Sequence, residues 1–215
     1  SGLAYVFGAH YDQRFKSKYI LQLSATYTPQ SSLESTNTRA ISSLSSSGGL
    51  SSQETIDLGS LANTPNKFSS EINLGAGFGV AHKWFVGVNF FNTSKGITNP
   101  LETNANVNYE ASSRFSVGGF YIPKYDSFTS YLSRVTYRVG ARFEETGIVL
   151  NNQPIEDFGI TFGLGLPVGG LSTVNIGAEL GQLGTLDGGL IKENYANIML
   201  GFSLSDIWFI KRKYD

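Results

Sequence analysis

Residues 157–182, DFGITFGLGLPVGGLSTVNIGAELGQ, keep a period of two for almost their whole length. Phe158, Ile160, Phe162, Leu164 and Leu166 fall on one face, and Gly159, Thr161, Gly163 and Gly165 on the other. Pro167-Val168-Gly169-Gly170 is the expected reversal, because proline lacks a ladder donor and glycine tolerates unusual backbone angles. The return strand sets Val174, Ile176, Ala178 and Leu180 against Asn175, Gly177, Glu179 and Gly181. Each run lasts about ten residues, the span of a tilted strand across a bilayer, whereas soluble strands average about five or six. The period therefore predicts an all-β protein, an antiparallel transmembrane β-barrel.

The same alternation recurs along the chain. It predicts strands over 2–12, 19–28, 68–81, 84–93, 108–122, 134–144 and 196–204, which with the 157–182 hairpin make nine. Tyr19 and Tyr27 bracket Leu21, Leu23 and Ala25, the order expected across two membrane interfaces. Residues 13–18 read as a polar connection, 123–133 as a medium one with room for a helical turn, and 145–154 as a loop. Residues 29–66, rich in serine, threonine and asparagine, read as a long extracellular loop. All 215 residues read as one barrel domain.

Connections alternate in length, as short periplasmic turns and long extracellular loops do. Nine strands with long loops outside would start outside and end in the periplasm. A closed bacterial barrel has an even number with both termini periplasmic. The count thus predicts the C-terminal piece of a larger barrel, with an odd number of strands missing. Ser1-Gly2-Leu3 enters a strand pattern directly, consistent with a removed secretion signal or a start partway along.

Composition removes several alternatives. No apolar run reaches the roughly 18 residues of a membrane helix, and mean hydropathy is −0.09. The formal net charge of −1 gives no reason to expect nucleic acid. Cysteine is absent, so there is no disulfide framework and no thiol chemistry.

GLAYVFGAHYDQRFKSKYILQLSATYTPQSSLESTNTR, GGFYIPKYDSFTSYLSRVTYRVGARFEETGI, DFGITFGLGLPVGG and LIKENYANIMLGFSLSDIWFIKRKYD together resemble the C-terminal portion of FadL-like outer-membrane barrels, the long-chain fatty acid and aromatic hydrocarbon transporters, in their Bacteroidota branch. The resemblance implies a 14-stranded barrel with an N-terminal plug, of which the strands here would be the last nine. It carries over no ligand-binding residue.

By alternation, Glu71, Arg114, Arg138, Arg142 and Glu179 fall on the polar face. On the lipid face at mid-depth a charge costs about 2–4 kcal/mol, so a barrel must turn them inward. The preferred reading is an Arg–Glu network that fills the lumen; the alternative is a polar path or a clamp on an anionic headgroup. Phe85, Phe91 and Phe120 are candidates for an apolar lumen pocket. His10 and His82 have no partners at metal-ligand spacing, and no serine can be joined to a histidine and a carboxylate, so neither a metal, a cofactor nor catalysis is expected. Basic residues gather at the periplasmic end, where a partner could dock: Arg14, Lys16, Lys18, Lys83, Lys124, Arg134 and 211–213.

Two uses follow for such a protein of the bacterial outer membrane, in contact with its lipid. One binds or passes hydrophobic, fatty-acid-like small molecules. The other serves as an accessory or structural barrel among envelope protein partners in a larger secretion or uptake complex.

Overall fold

The computed structural model describes residues 3–33, 40–44, 50–55, 66–95, 107–169 and 172–204. Long strands dominate it. β1 (Phe7–Phe15) and β2 (Tyr19–Thr28) form a hairpin. The excursion that follows holds four short strands, β3 (Ser31–Leu33), β4 (Ala40–Leu44), β5 (Leu50–Thr55) and β6 (Asn66–Phe68), paired as β3 with β6 and β4 with β5. Then come β7 (Glu71–Val80), β8 (Trp84–Thr93), the short β9 (Val107–Tyr109) and β10 (Ser112–Tyr121). The last four are β11 (Thr136–Leu150), β12 (Gln153–Gly169), β13 (Ser172–Leu183) and β14 (Glu193–Ser203).

One sheet runs in the order β1-β2-β7-β8-β10-β11-β12-β13-β14, with β9 on the end of β11. Every neighbouring pair is antiparallel, so the nine long strands are an up-and-down meander. The all-β class and the nine long strands agree with the sequence. The sheet is open: among the described residues β1 and β14 each pair on one side only.

Several expected boundaries shift. Residues 13–15, taken as connection, belong to β1, because Lys16 and Ser17 adopt left-handed backbone and the Lys18 amide donates to the Phe15 carbonyl at 3.1 Å. Pro154 and Pro167 both lie within β12 rather than in loop or turn. Pro154 is the second residue of the strand and Pro167 adjoins a register shift before Gly169, two places where a missing donor costs the ladder least. Of the predicted reversal, Gly170 lies outside the described residues. The expected helical turn is a single 3-10 turn, Leu132–Arg134.

The largest correction concerns 145–154. Instead of a loop, β11 and β12 continue as a ribbon closed by Asn151 and Asn152, with φ of 49° and 61°. Two successive positive φ values are what a two-residue hairpin with the strands' right-handed twist requires, and asparagine tolerates them. Asn152→Val should cost the ribbon about 1–2 kcal/mol while Asn152→Gly stays near neutral, read as amide exchange across 148–155.

The two faces differ in chemistry. One carries Leu23, Ala76, Val88, Val117, Ala141, Ile160, Leu180 and Ala196 in a single cross-strand row. A second row beside it reads Leu21, Phe78, Val86, Gly119, Val139, Phe162, Ala178 and Ile198. Aromatics flank these aliphatic rows. Toward the short turns Phe15, Tyr19, Trp84, Tyr121 and Tyr137 share a row with Val80, and toward the other end Phe90, Phe115, Phe143 and Phe158 form a row of their own.

This face is not buried. Val86 is 50% exposed, Val139 57% and Phe162 53%, although all three lie on interior strands. Among the described residues only Val80 and Val135 are buried apolar side chains. The molecule thus leaves a continuous apolar face exposed, which soluble monomers rarely do. No helix among the described residues is long and apolar enough to cross a membrane.

Candidate functional site

The polar face is concave. One trough of about 900 Å³ is lined by His10 of β1 and Met199 of β14 as well as by strands between them, so the sheet curls enough for both edges to share it. Glycine makes this curl possible by letting aromatic rings lie flat on the ladder. The Phe85 ring covers Gly77, where any Cβ would collide with it, and Tyr195 covers Gly181 in the same way. Phe85 also stacks on Phe120, with centroids 6.2 Å apart.

Charge is concentrated over β10 to β14. Arg114 donates from Nε and Nη2 to the two oxygens of Glu144, both at 2.7 Å, a bidentate fork. Arg142 stands at the centre. Its Nη1 lies 3.7 Å from Glu144, and its Nη2 lies 2.8 Å from Glu179 and 3.0 Å from Asp157. The same Nη2 donates to the Tyr195 hydroxyl at 2.8 Å, and that hydroxyl donates to Asp157 at 2.8 Å. Asn197 reaches Glu179 at 3.5 Å. Room for this cluster comes from Gly159, directly opposite Arg142, whose Cβ would stand 2.9 Å from Glu179 Oε1.

Two guanidinium groups thus meet three carboxylates whose side chains are only 13–17% exposed. Five strands are tied together by it: β10 through Arg114, β11 through Arg142 and Glu144, β12 through Asp157, β13 through Glu179 and β14 through Tyr195. Such a network fixes curvature and register, and it pairs both guanidinium groups with carboxylates.

Arg114, Arg142 and Glu179 are therefore brought into one network through Glu144. Arg138 lies outside the ion pairs: its Nη1 donates to Asn175 at 2.8 Å and its guanidinium rests over Gly165. Glu71 opens β7 between Thr28 and Thr93 and joins none of the ion pairs among the described residues. The three phenylalanines split. Phe85 and Phe120 stack in the trough, whereas Phe91, six residues along β8, lies 5.9 Å from the Arg114 guanidinium.

Sequence reasoning missed Glu144, Asp157, Tyr195 and Asn175 as partners. Alternation from Arg142 puts Glu144 on the polar face, so one signal was present. The remainder of the polar face, toward β1, carries fewer charges: Gln22 donates to Asp12 at 2.9 Å and Asn89 to Asn73 at 2.6 Å. No group of three or more possible metal ligands is assembled among the described residues.

A family model described as BamG matches residues 1–215, the whole chain. The chain belongs to the BamG family. The comparisons with curated proteins and with solved structures found no match. BamG membership gives no support to the FadL-like transporter resemblance; it does fit the alternative of a subunit in a larger assembly.

Proposed function

We propose that this chain forms the wall of an outer-membrane β-barrel that serves as an accessory subunit of the BAM complex. The observation that carries the functional part is the BamG family match over residues 1–215. The apolar face supports the membrane part. Two aliphatic rows between two aromatic rows is the order of a lipid-facing wall with an interfacial girdle on each side. Unpaired strand edges are untenable in hydrocarbon, so β1 and β14 must find partners there, as closure of a barrel provides. Short turns at 16–18 and 81–83 mark the periplasmic end.

The trough favours a structural role over passage of small molecules. Its arginines are committed to carboxylates or to Asn175, and among the described residues Phe91 does not join Phe85 and Phe120 in lining the trough. The reading assigns no catalysis, metal or cofactor.

Purification in detergent from the native outer membrane tests this. Co-elution with the other BAM-complex subunits at fixed stoichiometry is expected. Recovery of the chain alone, with that complex intact without it, would overturn the assignment; a bound acyl chain in its trough would return small-molecule transport to first place.

A further inference from the structure

The outward aliphatic rows have one gap. Between Val86 and Val139, in register on the neighbouring strands, stands Gly119. A glycine is required there, since a Cβ would stand 2.6 Å from the Phe85 carbonyl oxygen. Its consequence on the outer face is a groove of about 590 Å³, floored by Gly119 and walled by Val86, Val139, Trp84, Tyr121 and Tyr137. The three aromatics are the girdle residues of β8, β10 and β11, directly paired with one another. The groove therefore opens at the short-turn interface.

Cations rim that end. Lys83 immediately precedes Trp84, and its carbonyl accepts from the Ile122 amide at 2.7 Å, which docks the 122–135 connection onto the β7–β8 turn. Within this connection the Lys124 amide donates to the Ser133 carbonyl at 2.8 Å, bringing Lys124 beside Arg134. Arg134 lies 5.4 Å from the Tyr131 ring, and His82 packs 5.0 Å from Tyr125. Lys83, Lys124 and Arg134 are all exposed, and Asp126 is the one acid in the connection.

We propose that this groove is a binding site for an anionic glycerophospholipid of the periplasmic leaflet. An acyl chain lies in the notch over Gly119, the Trp84–Tyr121–Tyr137 row meets the glycerol region, and Lys83, Lys124 and Arg134 face the headgroup phosphate. The apolar part selects a lipid tail, and the charge complementarity selects an anionic head over a zwitterionic one. The assignment rests on the reading above that the apolar face meets the bilayer. It bears on function because a retained lipid would fix the 122–135 connection, with its exposed Phe128, at the membrane surface.

The test is native mass spectrometry of the protein extracted in detergent from its outer membrane and titrated with phosphatidylglycerol or phosphatidylcholine of identical chains. Retention of phosphatidylglycerol should exceed that of phosphatidylcholine by about tenfold or more. The triple variant K83E/K124E/R134E should reduce the preference to near unity. Val139→Trp, which fills the notch from an already exposed position, should lower retention of both lipids. Equal retention in the unaltered protein, an undiminished preference in the triple variant, or undiminished retention of both lipids in Val139→Trp would overturn the site. So would a photo-crosslinker at position 139 that captures a polypeptide in the native membrane, since a protein would then occupy the groove. Recovery of the chain in buffer without detergent would instead overturn the membrane reading itself, which separates the two failures.

Discussion

Leu23→Arg should destabilise the protein by about 2–4 kcal/mol in a bilayer, whereas Ser24→Arg should change it by less than about 1 kcal/mol. The two residues are adjacent in the middle of β2 and face opposite ways. Leu23 is 42% exposed on the apolar face, between Tyr11 and Ala76. Ser24 lines the trough opposite Gly75, which leaves room for a long side chain. The contrast decides between environments. In a soluble sheet a half-exposed leucine can become arginine at a cost of about 0.5 kcal/mol or less. Only hydrocarbon contact makes the penalty large and confines it to one parity. Denaturant midpoints in phospholipid bilayers, with the amount of each variant reaching the outer membrane, read the difference.

Arg142→Ala is the second large effect. It removes the cation that Asp157 and Glu179 share and one of two that face Glu144. Deleting one member of a fully buried ion pair costs about 3–5 kcal/mol. Water still reaches this trough, since the Arg142 side chain is 30% exposed, so about 1–3 kcal/mol is expected. The cause is uncompensated like charge. Adding Glu179→Gln to Arg142→Ala should therefore recover part of the loss, even though the double variant has no more ion pairs than Arg142→Ala itself. If the double variant is as unstable as the additive sum, the carboxylates do not repel through this site and the network contributes by packing alone. Unfolding midpoints of the four proteins in one lipid measure the coupling.

Alternation made the nine strands and both faces legible, because period two is a property of the backbone and survives any connection length. It could not give register. Glu144 faces Asp157 only because β11 carries extra residues between Glu145 and Val149, where Gly147 has φ of +75° and Thr146 Oγ1 donates to the Ile155 carbonyl at 2.7 Å. A hairpin counted outward from Asn151-Asn152 without that bulge would misalign every pair below it. The polar stretch around Glu145 and Thr146 also looked like loop, since a ribbon wet on both faces has no apolar parity to reveal it. Tyr195 was hidden for another reason: it precedes the predicted strand 196–204, and its role depends on Gly181 opposite, which lets the ring lie across β13 toward Arg142.

The chain contains no cysteine, so single cysteines can be placed on either face without background. The most direct measurement compares labelling, in intact outer membranes, of cysteines at Val117, Ile160 and Ile176 with one at Ser130 in the exposed connection. The reagent is a water-soluble, membrane-impermeant maleimide applied after osmotic opening of the periplasm. A lipid-facing wall predicts rapid labelling at position 130 and negligible labelling at 117, 160 and 176, where hydrocarbon excludes both the reagent and the reactive thiolate. Equal labelling of all four by the water-soluble reagent would place the apolar face in water and contradict an outer-membrane barrel.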